Sequence, residues 1–292
     1  MALIPAIEPG LHLVATPIGH ARDFTLRALD VLTGCDAIAA EDTRQTRKLL
    51  DLHGIALRDR PLIPYHDRNG ATARPRIMAL LAEGRSVAYC SDAGTPLIAD
   101  PGYRLVRLCV DEGFPLTALP GPSAALAALS LSGLPTDRFL FAGFPPPKPA
   151  ARRRFLEELA SVRATLIVFE SPHRVVESVA DMAQILGAER DAALARELTK
   201  RFETVVRNPL GALAEALAVS GPPRGEIVLV IGGPVEGSET DEATDLDSAI
   251  RKMRATESLK DTARLLSAQL GLAKRVVYAR ALALESEGET EN

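Results

Sequence analysis

Between Leu11 and Leu119 a short apolar run, a polar or glycine-rich exit and a helical pattern follow one another repeatedly. The apolar runs are Leu11 to Thr16, Asp36 to Ala40, Leu62 to Tyr65, Ser86 to Tyr89 and Pro115 to Leu119. Residues at helical spacing fill the intervals, as in Thr25 to Leu32, Thr46 to Leu50 and Tyr103 to Val110, with Asp23 the expected cap of the first helix. Such alternation implies a mainly parallel sheet with helices on both faces. It also gathers the polar exits at the carboxyl ends of the strands, where ligands bind in open α/β sheets.

The fourth exit, Cys90 to Gly102, is longer than an ordinary βα connection, which runs ~2 to 6 residues. Its small residues let a ligand approach the main chain, Pro96 and Pro101 stiffen it, and Asp92 and Asp100 offer acceptors for hydroxyls or amines. In the fifth exit, Pro122 and Ser123 can open a helix whose free N–H groups point into the same cleft.

From Arg138 to Ile231 the strands lengthen and several can pair antiparallel. The expected fold is α/β, with an N-terminal domain over 1–120 and a second over 121–233. A linker over 234–246 is expected from its acidic, Gly/Ser/Thr-rich composition, then a small helical element over 247–292 built from three helical patterns.

Across 292 residues, 47% apolar content predicts a sizeable core, and a net charge of -4 argues against non-specific coating of nucleic acid while leaving local recognition open. No run of ~18 apolar residues and no secretory leader pattern is present, so a cytoplasmic protein without a membrane span is expected. Cys35, Cys90 and Cys109 lie in apolar segments and read as buried thiols, and no histidine or cysteine spacing suits a metal.

Charged residues at the other strand exits supply the chemistry. Asp42, Glu170, Glu197 and Lys200 are candidates for accepting a proton or orienting a reacting group, and their residue types do not choose among them. A lysine beside carboxylates has its charged form favoured, which weighs against a neutral Lys200. Arg44, Arg174 and Arg196 suit phosphate, since guanidinium forks match it, with inter-strand ion pairs as the alternative use.

Five segments together resemble one family. They are Val14-Ala15-Thr16-Pro17-Ile18-Gly19, Ala40-Glu41-Asp42-Thr43-Arg44, Ser91-Asp92-Ala93-Gly94-Thr95-Pro96, Pro120-Gly121-Pro122-Ser123-Ala124 and Glu170-Ser171-Pro172-His173-Arg174. In this order they are similar to the bacterial ribosomal RNA small-subunit methyltransferase I group of the tetrapyrrole-methylase superfamily. The resemblance implies two α/β domains with S-adenosyl-L-methionine in the cleft between them, a homodimer, and 2′-O-methylation of a cytidine ribose in the decoding region of 16S rRNA, expected on the assembled 30S subunit. It further implies cofactor contacts from Asp92, Ala93, Gly94 and Leu97 and from Ser123 and Ala124. His20 stands where that group usually has asparagine, and Asp67-Arg68 departs from its pattern after His66. A methylase of a small tetrapyrrole and a non-catalytic ribosome-binding factor are the competing expectations.

Overall fold

The computed structural model describes residues 6–66, 69–234, 239–254, 256–270 and 273–289. The chain forms two compact units, Met1–Pro234 and Val235–Asn292.

The first unit contains two five-stranded sheets. In the first, β1 (Gly10–Val14), β2 (Ala37–Ala40), β3 (Leu62–Pro64), β4 (Ser86–Cys90) and β5 (Leu116–Leu119) lie in the order β3-β2-β4-β1-β5, and every pairing is parallel. The chain steps from β1 to β2 to β3 in one direction and returns through β4 to β5 in the other. Right-handed crossovers then require the first two helices and the next two to lie on opposite faces. The core obeys this requirement. Ala28, Val31 and Leu32 of α1 (Leu26–Gly34) and Leu50 of α2 (Thr43–Leu52) pack with Val14, Ile38, Ala88 and Cys90. Ile77 and Leu81 of α3 (Gly70–Ala82) and Leu105 and Cys109 of α4 (Tyr103–Asp111) pack with Leu11, Ala39, Val87 and Tyr89. With both faces covered, β2 and β4 are buried at every residue.

This order singles out β4. Its onward connection runs opposite to those of its neighbours β2 and β1, so its carboxyl end is a topological switch point where a crevice opens between the helix layers. The long fourth exit leaves from there.

The second sheet orders β6 (Phe139–Gly143), β7 (Thr165–Glu170), β10 (Ile227–Ile231), β8 (Asp191–Arg196) and β9 (Thr204–Pro209) as β6-β7-β10-β8-β9. Only the β6–β7 pairing is parallel among these strands, in keeping with the expected antiparallel character. One face carries α6 (Pro149–Leu159), α7 (Val175–Leu186) and α8 (Leu210–Ser220). The other carries α5 (Ala124–Ser132), whose Ala125, Ala128 and Leu129 pack with Ile167, Ala193 and Val230. Ile18, just past β1, joins this cluster and fastens the first sheet's edge to the second.

The second unit has a core of its own, in which Leu246 and Ile250 of α9 (Glu239–Arg254) meet Ala263 and Leu266 of α10 (Leu259–Leu270) and Val277 and Ala281 of α11 (Lys274–Glu289). Two expectations need correction. Helix α9 starts at Glu239, inside the stretch expected as linker, and residues 235–238 lie outside the described residues. Acidic residues favour a helix N-terminus, and composition alone read them as solvated chain. Asp23 does not cap α1: it lies in a short 3-10 turn, Ala21–Asp23, and the Thr25 hydroxyl accepts from Ala28 N at 3.2 Å. All three cysteines are free and buried.

Helices α6 and α7 are locked by charge as well as by packing. Arg152 Nε donates to Asp181 Oδ2 at 2.6 Å with both side chains buried, and Arg153 Nε reaches Asp181 Oδ1 at 3.0 Å. Asp181→Ala leaves the buried Arg152 guanidinium with only its longer contact to Glu177, 3.6 Å, and is expected to cost about 3 kcal/mol of stability. Asp111→Ala removes an exposed partner of Arg107 and is expected to cost about 0.5 kcal/mol or less. Urea unfolding of the two variants checks the contrast.

Candidate active site

The crevice at the end of β4 is held by a lattice of loop-to-loop hydrogen bonds. Thr16 and Gly94 exchange two backbone bonds, Thr16 N to Gly94 O and Gly94 N to Thr16 O, each 2.9 Å. The Thr16 hydroxyl donates to Ser91 O at 3.2 Å and the Ser91 hydroxyl to Gly94 O at 3.1 Å, so the first turn of the loop is satisfied from within. Thr95 Oγ1 donates to Pro122 O at 2.9 Å and draws in the exit of β5. At the loop's far end the Tyr89 hydroxyl donates to Pro101 O at 2.5 Å. Gly102 sits there at φ +129, where a Cβ would come within 2.7 Å of the Tyr89 ring. Between these anchors Leu97 and Ala99 hold left-handed backbone, at φ 72 and φ 64. Each such residue costs on the order of 1–3 kcal/mol, a strain that clusters at ligand sites.

Acidic groups rim the crevice. Asp92 Oδ1 accepts from Asp42 N at 2.9 Å, and Asp92 N donates to Glu41 Oε2 at 3.3 Å, so the exits of β2 and β4 are tied in both directions. Burial raises the Asp92 carboxyl above its ordinary range, against the opposing hydrogen bond from Asp42 N. Asp100 is pushed up to about 7, by burial first and then by the charge of Glu41. Asp42 goes the other way: hydrogen bonds from the Arg44 side chain and backbone bring it to about 2. It also opens α2, accepting from Arg44 N at 2.8 Å. Arg44 itself is 86% exposed.

On the opposite wall, the loop after β8 meets the exit of β1. A Cβ at Gly19 would stand 2.5 Å from Lys200 Cγ and 2.6 Å from Thr199 Oγ1, so only glycine lets the chain pass here. His20 N donates to Thr199 Oγ1 at 3.0 Å, and the His20 ring accepts from Arg22 N, an acceptor that asparagine would also offer. Lys200 Nζ donates to Glu197 Oε1 and to Glu226 Oε2, both at 2.9 Å. Burial pulls the ammonium down, but these two bonds outweigh it and hold Lys200 above the usual lysine range. The Lys200 hydrogen bond lowers Glu197 in turn. Glu197 and Thr199 are left-handed as well, at φ 53 and φ 61.

The structure thus brings Asp42, Arg44, Asp92, Ala93, Gly94, Leu97, Ser123 and Ala124 to one sheet edge, with Glu197 and Lys200 against Gly19. Glu170, Arg174 and Arg196 are engaged elsewhere. Glu170 is buried; its carboxylate accepts from the Ser178 hydroxyl, from Ser171 N at 2.7 Å and from Arg174 Nη2 at 2.7 Å. Arg174 also donates to Pro145 O and Ser171 Oγ. Arg196 spends its guanidinium on Thr204 Oγ1, Phe202 O and Arg224 O, shaping its own strand exit. Glu226, the second partner of Lys200, carries no signal in the sequence, because it reaches Lys200 only through the pairing of β10 with β8. Asp67 and Arg68 lie outside the described residues. Among the described residues no cluster of three His, Cys, Asp or Glu side chains could hold a metal, and no helix is long and apolar enough to cross a membrane.

The family model Tetrapyrrole (Corrin/Porphyrin) Methylases matches residues 10–214. Proteins called ribosomal RNA small subunit methyltransferase I are similar over nearly the whole chain: one from Mesorhizobium japonicum is 48% identical, covering 98% of this chain and 97% of its own. One from Vibrio cholerae is 43% identical, covering 98% of each. Among solved structures, diphthine synthase is similar at TM-score 0.58 and 16% identity, covering 76% of this chain and 89% of its own. Uroporphyrin-III C-methyltransferase from Thermus thermophilus, complexed with S-adenosyl homocysteine, is similar at TM-score 0.53 and 19% identity, covering 77% of this chain and 98% of its own. By the length of the match and the level of identity, the chain belongs to the tetrapyrrole methylase family and, within it, to the group of ribosomal RNA small subunit methyltransferase I proteins.

Proposed function

We propose that this protein uses S-adenosylmethionine to methylate the 2′-oxygen of a cytidine ribose in the decoding region of 16S rRNA, acting in the cytoplasm as a homodimer on the assembled 30S subunit. The observation that carries the reading is identity above 40% along essentially the entire chain with proteins called ribosomal RNA small subunit methyltransferase I.

The residues at the crevice suit the methyl donor. Glu41, Asp92 and Asp100 provide acceptors and negative potential for a molecule with an ammonium, a sulfonium and ribose hydroxyls. Ser123 precedes α5 without capping it, which leaves first-turn N–H groups for a carboxylate or a base edge. Bound there, S-adenosylmethionine supplies an electrophilic methyl group. In-line placement of the acceptor oxygen then dominates the rate.

Of the four residues offered as proton acceptors or orienting groups, Lys200 is the one placed to act by charge. As an ammonium it cannot take the ribose proton, but it can orient the ribose and stabilise negative charge developing on its oxygen. Asp42 at about 2 and the lowered Glu197 are weak bases, and Glu170 is committed to Ser178, Ser171 and Arg174. Asp100, near neutrality and in the crevice, is the carboxyl best matched to accepting a proton.

Incubation with methyl-labelled S-adenosylmethionine is expected to label undermethylated 30S subunits faster than deproteinised 16S rRNA and to leave a uroporphyrinoid unlabelled. The labelled linkage should resist alkaline cleavage, because the 2′-oxygen can no longer attack the phosphate. Label on the uroporphyrinoid alone would instead favour the tetrapyrrole reading. Lys200→Ala is expected to lower single-turnover rates at saturating substrate at least tenfold, or about 1.4 kcal/mol, whereas Glu170→Ala should act on thermal stability, since it removes the buried carboxylate that Arg174, Ser171 and Ser178 share.

A raised carboxyl means that the folded state holds its proton more tightly than the unfolded chain does. Asp100 therefore withdraws stability as pH rises from about 4, its unfolded pKa, to about 7. Asp100→Asn should make the ligand-free protein more stable than wild type at pH 8, with the difference vanishing near pH 4. Thermal melts across that range read the effect.

A further inference from the structure

Beyond the crevice, the exit of β3 and the starts of α3 and α4 enclose a cavity of about 430 Å3, lined by Tyr65, Arg74, Asp100, Tyr103 and Arg104 among others. That volume falls within the range of small-ligand clefts, ~300–1,000 Å3. Its arginines differ from those already described. Arg44, Arg152, Arg153, Arg174 and Arg196 are each bound to a carboxylate or to loop oxygens. Arg74 and Arg104 make no ion pair and no side-chain hydrogen bond among the described residues, yet both face this one cavity.

Two guanidinium groups that share a cavity repel each other, and an anion forked between them removes the repulsion. Asp100 is the acid among the described lining residues, and burial holds it near neutrality, so it offsets their charge only in part. Helix α4 starts at the same place. Gly102 precedes it and offers no side-chain cap, so its first N–H groups add to the positive potential. Next to these donors stands a largely exposed aromatic ring: Tyr103 is 70% exposed, whereas Tyr65, also lining the cavity, is buried. A phosphate-matching pair of arginines beside an exposed ring is the combination that holds one nucleotide of a single strand, the phosphate by charge and the base by stacking.

We propose that this cavity is a nucleotide subsite for the RNA substrate, in which Arg74 and Arg104 hold a phosphate of the strand and Tyr103 stacks on the neighbouring base. The proposal rests on the reading of the substrate as RNA and adds which surface of the first sheet grips the strand next to the methylation site. Asp100 belongs to both the crevice and the cavity, which sets the gripped nucleotide beside the transfer site.

The test uses full-length wild type and the variants Arg74→Ala, Arg104→Ala, Tyr103→Ala and Tyr103→Phe. Affinity for undermethylated 30S subunits is measured over a salt series at fixed magnesium, and affinity for S-adenosylhomocysteine by calorimetry. Each arginine variant is expected to weaken subunit binding on the order of tenfold and to reduce the slope of log affinity against log salt by roughly 0.7–1. Tyr103→Ala should weaken binding about tenfold, and Tyr103→Phe should bind as wild type, because the ring face is retained. S-adenosylhomocysteine affinity should be unchanged in all four. If wild type binds and methylates 30S subunits while both arginine variants keep its affinity and salt slope, the subsite is refuted and the RNA reading stands. Loss of S-adenosylhomocysteine affinity with RNA affinity intact refutes it too, by giving the cavity to the methyl donor. Failure of wild type to bind or methylate any form of 16S rRNA overturns the RNA reading and the subsite together.

Discussion

Two backbone hydrogen bonds, exchanged between Thr16 and Gly94, do more than any side chain to make a site of this sheet. Parallel strands end with their last carbonyl and amide groups unpaired, and the loops that follow are free to diverge. The bridge is antiparallel, where β1 and β4 pair in parallel: past the sheet the fourth exit turns back on the first, and the divergence becomes a fixed crevice. The remaining ties build outward from it. Thr95 brings in the fifth exit, Asp92 and Glu41 the second, and Tyr89 fastens the far end of the loop. With its ends held, the loop can keep Leu97 and Ala99 in conformations that a free chain would abandon.

The opposite wall follows a different logic. Lys200 lies against the first sheet because Gly19 has no side chain, and it stays charged because Glu197 and Glu226 arrive from adjacent antiparallel strands. A desolvated lysine with one partner could drift toward neutrality; with two it stays a fixed positive charge. Carboxylates thus line both walls, and on the second they hold a single ammonium in place.

The alternation of strand and helix made the first sheet legible, because hydrophobic period and exit chemistry agree at every unit from Leu11 to Leu119. The 91–102 loop was legible for the same reason, since its length and composition exceed what a connection needs. Pairings that depend on distant chain were not. Glu170 and Arg174 occupy a strand exit and so looked chemical, but Ser178, one helical turn along α7, completes a buried cluster that uses them up. The partners of Arg196, Thr204, Phe202 and Arg224, were likewise out of sight in the sequence. Asp100 was visible only as one of two acceptors, because its affinity for a proton comes from burial and from Glu41, neither of which a string of residues displays.

Helix α5 belongs to both halves of the first unit. Its first residue follows the fifth exit of one sheet, and its body is the sole helical cover among the described elements for one face of the other. A rigid rod shared in this way acts as a lever. A tilt that seats its amino end against a bound group must also slide Ala125, Ala128 and Leu129 over the second sheet, and any slip of that sheet must move the amino end. The amino end at the fifth exit and the small-residue face on the second sheet are therefore two parts of one helix, with no loop between them to absorb a displacement.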